Sequence, residues 1–361
     1  MMGAMLEALL ALAVALLVGY VVVTVVLLVT YSAEPPVDET HRVASGGGWE
    51  VALHRVRPSP AVPRRETPVI LAHGIAMCRC CWHMSEEISL ARYLADRGHD
   101  VWIAEYRGYA ASRHRGEGRG WDFSIDEHIK EDAPALIQGV RERTGADRVH
   151  WVGHSMGGII LYGYVLTHGT GALSRVVTVG SPIRMGRVAG HLKLLGRLRP
   201  LLRPGWRVPL YTPTRLTLPF SVFGRRWFQR PFYNARRARA ADIATLFTHG
   251  VQDLSARALR QFARWQSTGT MALEDGSGCI EDAPAALDVP FLCLAGQGDL
   301  LVPPRASTPA HDRAAADEKA FRVFGGPGDP APPMGHLDLI ASADARRWVF
   351  PEIADWLEKD G

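Results

Sequence analysis

Residues 148–158 read Arg148-Val149-His150-Trp151-Val152-Gly153-His154-Ser155-Met156-Gly157-Gly158. The apolar run from Arg148 to Val152 has strand character, and Gly158 to His168 reads as a helix. A serine between two glycines is thereby held at a strand-to-helix turn, the arrangement called a nucleophile elbow. Such a turn has little room for a Cβ and forces torsions that glycine adopts cheaply. It lifts the Ser155 hydroxyl clear of the sheet, points a helix N-terminus at any developing anion, and makes the Met156 amide an oxyanion donor.

Two later segments supply partners for Ser155 in the order serine, acid, histidine. Phe291-Leu292-Cys293-Leu294-Ala295-Gly296-Gln297-Gly298-Asp299 is an apolar strand running into glycines, and it delivers a carboxylate at the end where open α/β sheets place their site loops. Met334-Gly335-His336-Leu337-Asp338 follows a strand at Phe321 to Phe324 and a loop of Gly and Pro. His336 is the expected base and Asp299 the group that fixes its tautomer. Asp338 is the rival acid; two residues from His336, it is expected instead to cap the final helix. Upstream, Pro68 to Leu71 reads as a strand ending in Ala72-His73-Gly74-Ile75, where the Ile75 amide is placed to join that of Met156 in an oxyanion hole. The His73 side chain is read as ordering that turn, not as a base.

These stretches resemble the α/β-hydrolase fold, and more narrowly the acid lipase family of gastric and lysosomal lipases. The likeness is carried by Asp100-Val101-Trp102-Ile103 with Arg107-Gly108, Phe123-Ser124-Ile125-Asp126-Glu127-His128, Asp132-Ala133-Pro134-Ala135, the elbow itself, and Gly335-His336-Leu337-Asp338. It departs from that family at Tyr106, where asparagine is usual, at Met156, where glutamine is usual, and across the middle of the chain. The resemblance implies carboxylic ester chemistry more firmly than a long-chain lipid substrate.

The expected fold class is α/β: a mostly parallel central sheet with helices on both faces, a cap or lid insertion, and an N-terminal transmembrane helix. Strands at Trp49 to Val56 and Asp100 to Ala104 and helices near Met84 to Arg97 and Ile125 to Arg143 alternate accordingly. The organisation reads as an anchor over 1–33, a polar linker over 34–48, core over 49–182, cap over 183–288 and core again over 289–361.

From Ala8 to Tyr31 the chain has 24 residues without a charge, which as a helix span about 36 Å, more than the ~30 Å hydrocarbon layer. No Lys or Arg precedes the run and Tyr31 spoils a small-residue exit site, so an uncleaved single-pass anchor is expected and not a cleaved signal. The sparse flanking charge tilts toward a cytoplasmic catalytic domain. Five cysteines, three of them at Cys78, Cys80 and Cys81, form no disulfide framework and match no common zinc spacing.

Charge is segregated. Ile183 to Ala241 carries thirteen Arg, one Lys and no Asp or Glu, leaving 27 basic against 37 acidic residues elsewhere. The segment also holds Trp206, Phe220, Phe223, Trp227, Phe228, Phe232 and Tyr233. Three readings stay open: contact with an anionic membrane, a solvated face balancing the acidic body, and, ranked last, nucleic acid. The sequence therefore predicts a membrane-anchored serine hydrolase acting on carboxylic, lipid-like esters without cofactor or metal. The alternatives are acyl transfer by the same three residues and a non-catalytic binding protein on the same fold.

Overall fold

The computed structural model describes residues 2–117, 120–185, 202–234 and 236–359. The strands in chain order are β1 (Glu39–Ala44), β2 (Trp49–Val56), β3 (Val69–Ala72), β4 (Val101–Glu105), β5 (Arg113–His114), β6 (Val149–His154), β7 (Leu173–Val179), β8 (Arg207–Val208), β9 (Leu254–Ser255), β10 (Phe291–Gly296) and β11 (Lys319–Phe324). Nine form one sheet in the order β1-β2-β4-β3-β6-β7-β10-β11, with β5 beside β2, while β8 and β9 pair separately. β1, β2 and β4 run antiparallel to one another in turn; from β4 through β3, β6, β7 and β10 to β11 every pairing is parallel.

Alternation along the central strands explains the continuous apolar runs. Val69, Leu71, Val101, Ile103 and Val152 join one buried cluster, whereas Ile70, Ala72, Trp102, Ala104 and Trp151 join another. Both faces of the sheet are therefore covered, and a strand buried on both sides must be apolar throughout.

Three elements differ from the sequence-based expectation. The span 34–48 contains β1, an edge strand paired with β2 from Glu39↔Arg55 to Ala44↔Glu50. Its residues Glu-Thr-His-Arg-Val-Ala are mostly polar because the strand is only half covered; Thr40 Oγ1 and His54 Nδ1 lie 2.9 Å apart, and Arg57 Nε donates to Glu39 Oε1 at 2.8 Å. The helix expected at Met84 to Arg97 is confined to Leu90–Ala95, because the Ser89 hydroxyl accepts the Arg92 amide at 2.9 Å and fixes the helix start. The helix from Ile125 is interrupted by one wide turn at His128–Asp132 before Ala133–Thr144 continues it. There Asp132 Oδ2 receives His128 Nδ1 at 2.9 Å and Oδ1 receives Arg107 Nε at 2.9 Å, a buried network that repays the irregular turn.

Between β7 and β10 the described residues leave the sheet. The short helices Tyr211–Leu216, Leu218–Phe223, Arg225–Phe228 and Ala240–Thr245 come first, and Leu218, Val222, Tyr233 and Ile243 pack into the cluster that holds Trp82 and the three crowded cysteines. Helix Ala256–Thr268 follows, and Trp265, Met271, Ile280 and Leu287 join the cluster on the other face. Of the expected cap, residues 186–201 and 235 lie outside the described residues.

The N-terminal helix spans Met2–Thr30, with Leu and Val exposed on all sides over its first half. Its second half touches the insertion: the Tyr20 and Phe220 rings are 5.4 Å apart, Thr24 is buried, and Leu27, Leu28 and Tyr31 pack against the core.

Candidate active site

β6 ends at His154 and helix Met156–His168 begins two residues later, so Ser155 alone makes the turn. Its backbone adopts φ 52° and ψ −113°, a left-handed conformation that costs a non-glycine residue about 1–3 kcal/mol. The turn is held in place by the Ser155 amide donating to Val179 O at 2.9 Å and by the Gly158 and Ile159 amides returning to Ser155 O at 3.1 and 3.2 Å. Both flanking glycines are sterically required. A Cβ on Gly153 would lie 2.5 Å from the Gly157 carbonyl carbon, and one on Gly157 would lie 2.3 Å from Ala72 O.

Asp299, just past β10, is buried, and its two oxygens are divided in use. Oδ1 accepts the Leu301 and Val302 amides at 2.9 and 2.7 Å, while Oδ2 accepts His336 Nδ1–H at 2.7 Å. With the proton on Nδ1, the His336 Nε2 lone pair is left to accept one. His336 is tied to the elbow through His154, whose Nε2–H donates to the His336 carbonyl at 3.2 Å and whose ring lies 4.6 Å from the His336 ring. Gly180 lies under the pair: a Cβ there would sit 3.3 Å from His336 Nδ1 and 3.5 Å from Asp299 Oδ2. Ser155 is half-buried, and among the described residues its hydroxyl makes no hydrogen bond. Such contacts often tighten only when substrate is bound.

Asp338 does something other than cap a helix. Its Oδ2 accepts the Gly335 amide at 2.7 Å and the Asn234 amide at 2.5 Å, fastening the insertion to the loop that carries His336. Burial pushes its carboxyl up to about 6. His73 orders its turn through a 2.8 Å hydrogen bond from Nδ1 to Gly74 O, and burial lowers its pKa to about 4, so the ring is neutral. Behind it Gly74 presses on the elbow, since a Cβ there would be 3.3 Å from Ser155 Cβ. The amide of Ile75, next in the chain, and that of Met156, first in its helix, have no acceptor among the described residues.

Cys78, Cys80 and Cys81 are buried free thiols, pushed well above the usual thiol range by burial, and Cys293 is a core residue of β10. The described residues hold no cluster of three His, Cys, Asp or Glu set for a metal ion. Sequence reasoning missed His154 and the Asn234–Asp338 fastening. The middle residue before the serine carries no composition signal, and Asn234 meets Asp338 only through the fold.

A parallel sheet with a strained serine between β6 and its helix, and an Asp–His pair after β10 and β11, defines an α/β-hydrolase. Residues 64–327 match the model of one family within that fold, Hydrolase_4, described as serine aminopeptidase, S33, and the chain belongs to it. Lipase member K of Homo sapiens is 35% identical over 133 residues, covering 34% of this chain and 33% of its own length. Gastric triacylglycerol lipase of Mus musculus is 32% identical over 140 residues, 36% of this chain and 35% of that protein. The chain thus spans about a third of the length of the curated relatives it matches. In fold it is similar to an esterase (EaEST) from Exiguobacterium antarcticum, with a TM-score of 0.58 and 16% identity over 88% of this chain and 99% of that one. It is also similar to a Paleococcus ferrophilus monoacylglycerol lipase, with a TM-score of 0.54 and 15% identity over 84% and 98%.

Proposed function

We propose that this protein is a membrane-anchored serine hydrolase that cleaves carboxylic, lipid-like esters through an acyl-enzyme on Ser155. The 2.7 Å Asp299–His336 hydrogen bond, tied through His154 to a serine in a strained turn, is the observation that carries this reading. Ser155 Oγ attacks the acyl carbon as its proton passes to His336 Nε2, and Asp299 stabilises the imidazolium. The Ile75 and Met156 amides receive the oxyanion. Collapse expels the alcohol with the proton from His336, and a water activated by the same nitrogen releases the acid.

Esters are favoured over amides because the sequence relatives are lipases, although the family description is that of an aminopeptidase. Retention of the N-terminal helix as an anchor is supported by its packing: the Tyr20 ring packs against Phe220, and His249 Nε2 donates to Tyr31 O at 2.8 Å, contacts that a discarded leader would not make. The insertion over 183–288 acts as the cap that selects substrate.

Labelling of the detergent-solubilised protein by a fluorophosphonate, with Ser155→Ala as control, tests the nucleophile. Matched p-nitrophenyl esters and p-nitroanilides of increasing chain length test the chemistry. Equal labelling of both proteins, or cleavage of the anilides alone, overturns the reading.

A further inference from the structure

Beside the Asp299 and His336 loops lies a cavity of about 820 Å³ whose walls include Arg226, Arg230, Asn234, Arg236, Gly298 and Leu300. Gly298 and Leu300 flank Asp299 in the chain. Asn234 is fastened to the other loop: its side-chain amide donates to Pro333 O at 2.7 Å, and a Cβ on Gly335 would lie 2.9 Å from its backbone nitrogen. The cavity and the Asp–His pair therefore share a wall.

Its charge is one-sided. Among the described residues, none of the Arg226, Arg230 and Arg236 guanidinium groups has a carboxylate within ion-pairing distance or a hydrogen-bond partner. Arginines next in the chain show the opposite behaviour. Arg237 is bidentate to Asp344 at 2.6 and 2.8 Å, and Arg239 engages both Asp242 and Glu87. Among the described residues, these two arginines outside the cavity lining are thus paired and the three that line it are not. Among the described residues no carboxylate lines it: Asp299 spends its oxygens on His336 and two amides, and Asp338 on Gly335 and Asn234. Three guanidinium forks around one cavity repel one another until an anion with several acceptor oxygens joins them.

Next to these arginines the surface is apolar. Phe223, Trp227 and Phe228 are 70%, 85% and 59% exposed, and Leu300 at the cavity wall is 53% exposed. Phe220, in the same helix as Phe223, packs its ring against Tyr20 of the N-terminal helix. A ligand with an acyl or alkyl chain can lie along these rings while its anionic end meets the arginines.

From this geometry we propose that the cavity is the subsite for the anionic group, phosphate or carboxylate, of an amphiphilic ester substrate. It rests on the ester-hydrolase reading, whose failure the experiment separates from its own. In neutral detergent, the full-length protein is given two esters of equal acyl and alcohol length, one ending in phosphate and one in a hydroxyl. The wild type is expected to favour the phosphate ester at least tenfold in kcat/KM. In R226A/R230A that preference disappears through a rise in KM, with the neutral ester cleaved as before. Arg313→Ala, which removes one exposed charge elsewhere, keeps the preference. No preference in the wild type, or an equal loss on both esters in the variant, overturns the proposal.

If neither ester is cleaved, the hydrolase reading falls, and binding still decides the subsite. Dodecyl phosphate, followed by tryptophan fluorescence, is expected to bind at least tenfold more tightly to the wild type than to R226A/R230A. Equal affinity overturns the subsite. Inorganic phosphate binding as tightly as dodecyl phosphate makes it a free-anion site and overturns the amphiphile.

Discussion

Two carboxylates lie within reach of the His336 loop, and their partners give them opposite duties. Asp299 points one oxygen at His336 Nδ1, so Asp299→Asn is expected to lower kcat by about 10⁴-fold through loss of the correct tautomer. Asp338 touches only backbone amides, and Asp338→Asn is expected to keep kcat within a few-fold; the reverse ranking of the two variants on one ester would reassign the acid. Asp338 instead governs a pH effect on stability. Burial raises it from 3.8 to about 6, so between those values the folded chain holds a proton that the unfolded chain has released. Stability contributed by this group is full below 3.8 and falls as pH rises through 6, by about 3 kcal/mol at 1.36 kcal/mol per pH unit. Denaturant melts of wild type and Asp338→Asn between pH 4 and pH 7 should therefore agree best at the acid end, where the neutral amide stands in for the protonated carboxyl, and separate toward the alkaline end as the wild type falls, with the variant's curve the flatter. The tight turn at Ser155 and the loops that bring Asp299 to His336 were legible in sequence because each follows a strand with its own signature. The duty of Asp338 was not, since its partner Asn234 lies about a hundred residues away and no local pattern links the two.

At the scale of elements, the elbow is a tight joint, and its tightness explains its glycines. Gly157 faces the end of β3: a methyl there would meet Ala72 O at 2.3 Å and Ala72 C at 2.7 Å, both fixed in the sheet. Gly157→Ala should therefore cost about 3 kcal/mol or more in denaturant unfolding and abolish fluorophosphonate labelling, whereas Gly171→Ala, where a methyl meets nothing within 4 Å, should change neither. The strands β3, β4, β6 and β10 could be read directly because burial on both faces makes them apolar without interruption. β1 escaped for the converse reason: a half-covered edge strand of Glu, Thr, His and Arg has the composition of a linker, and only the ladder to β2 makes it a strand. The wide turn at His128 to Asp132 escaped too, because it is set by Arg107 and Ser45 reaching Asp132 from other parts of the chain.

At the scale of the whole molecule, the N-terminal helix and the insertion behave as one surface. The sheet has its own two clusters and no strand contributed by residues 2–30, so the hydrolase core does not depend on that helix to close. The insertion does touch it: Tyr20 meets one side of Phe220, and Leu27, Leu28 and Tyr31 lie on the cluster that includes Leu218 and Val222. Deleting residues 1–33 should leave a folded domain with a native far-UV spectrum but a lower melting temperature, because an apolar strip of the insertion loses its cover. The freed strip adjoins the exposed Phe223, Trp227 and Phe228, with Arg225, Arg226 and Arg230 between and beyond them, a mixture suited to the headgroup layer of an anionic bilayer. The shortened protein should therefore sediment with vesicles containing anionic lipid, and less with neutral ones, and moderate salt should weaken that difference. If recovery is the same from both kinds of vesicle, the basic insertion does not act as a membrane surface. The N-terminal helix would then remain as the one element proposed to hold the protein at the bilayer.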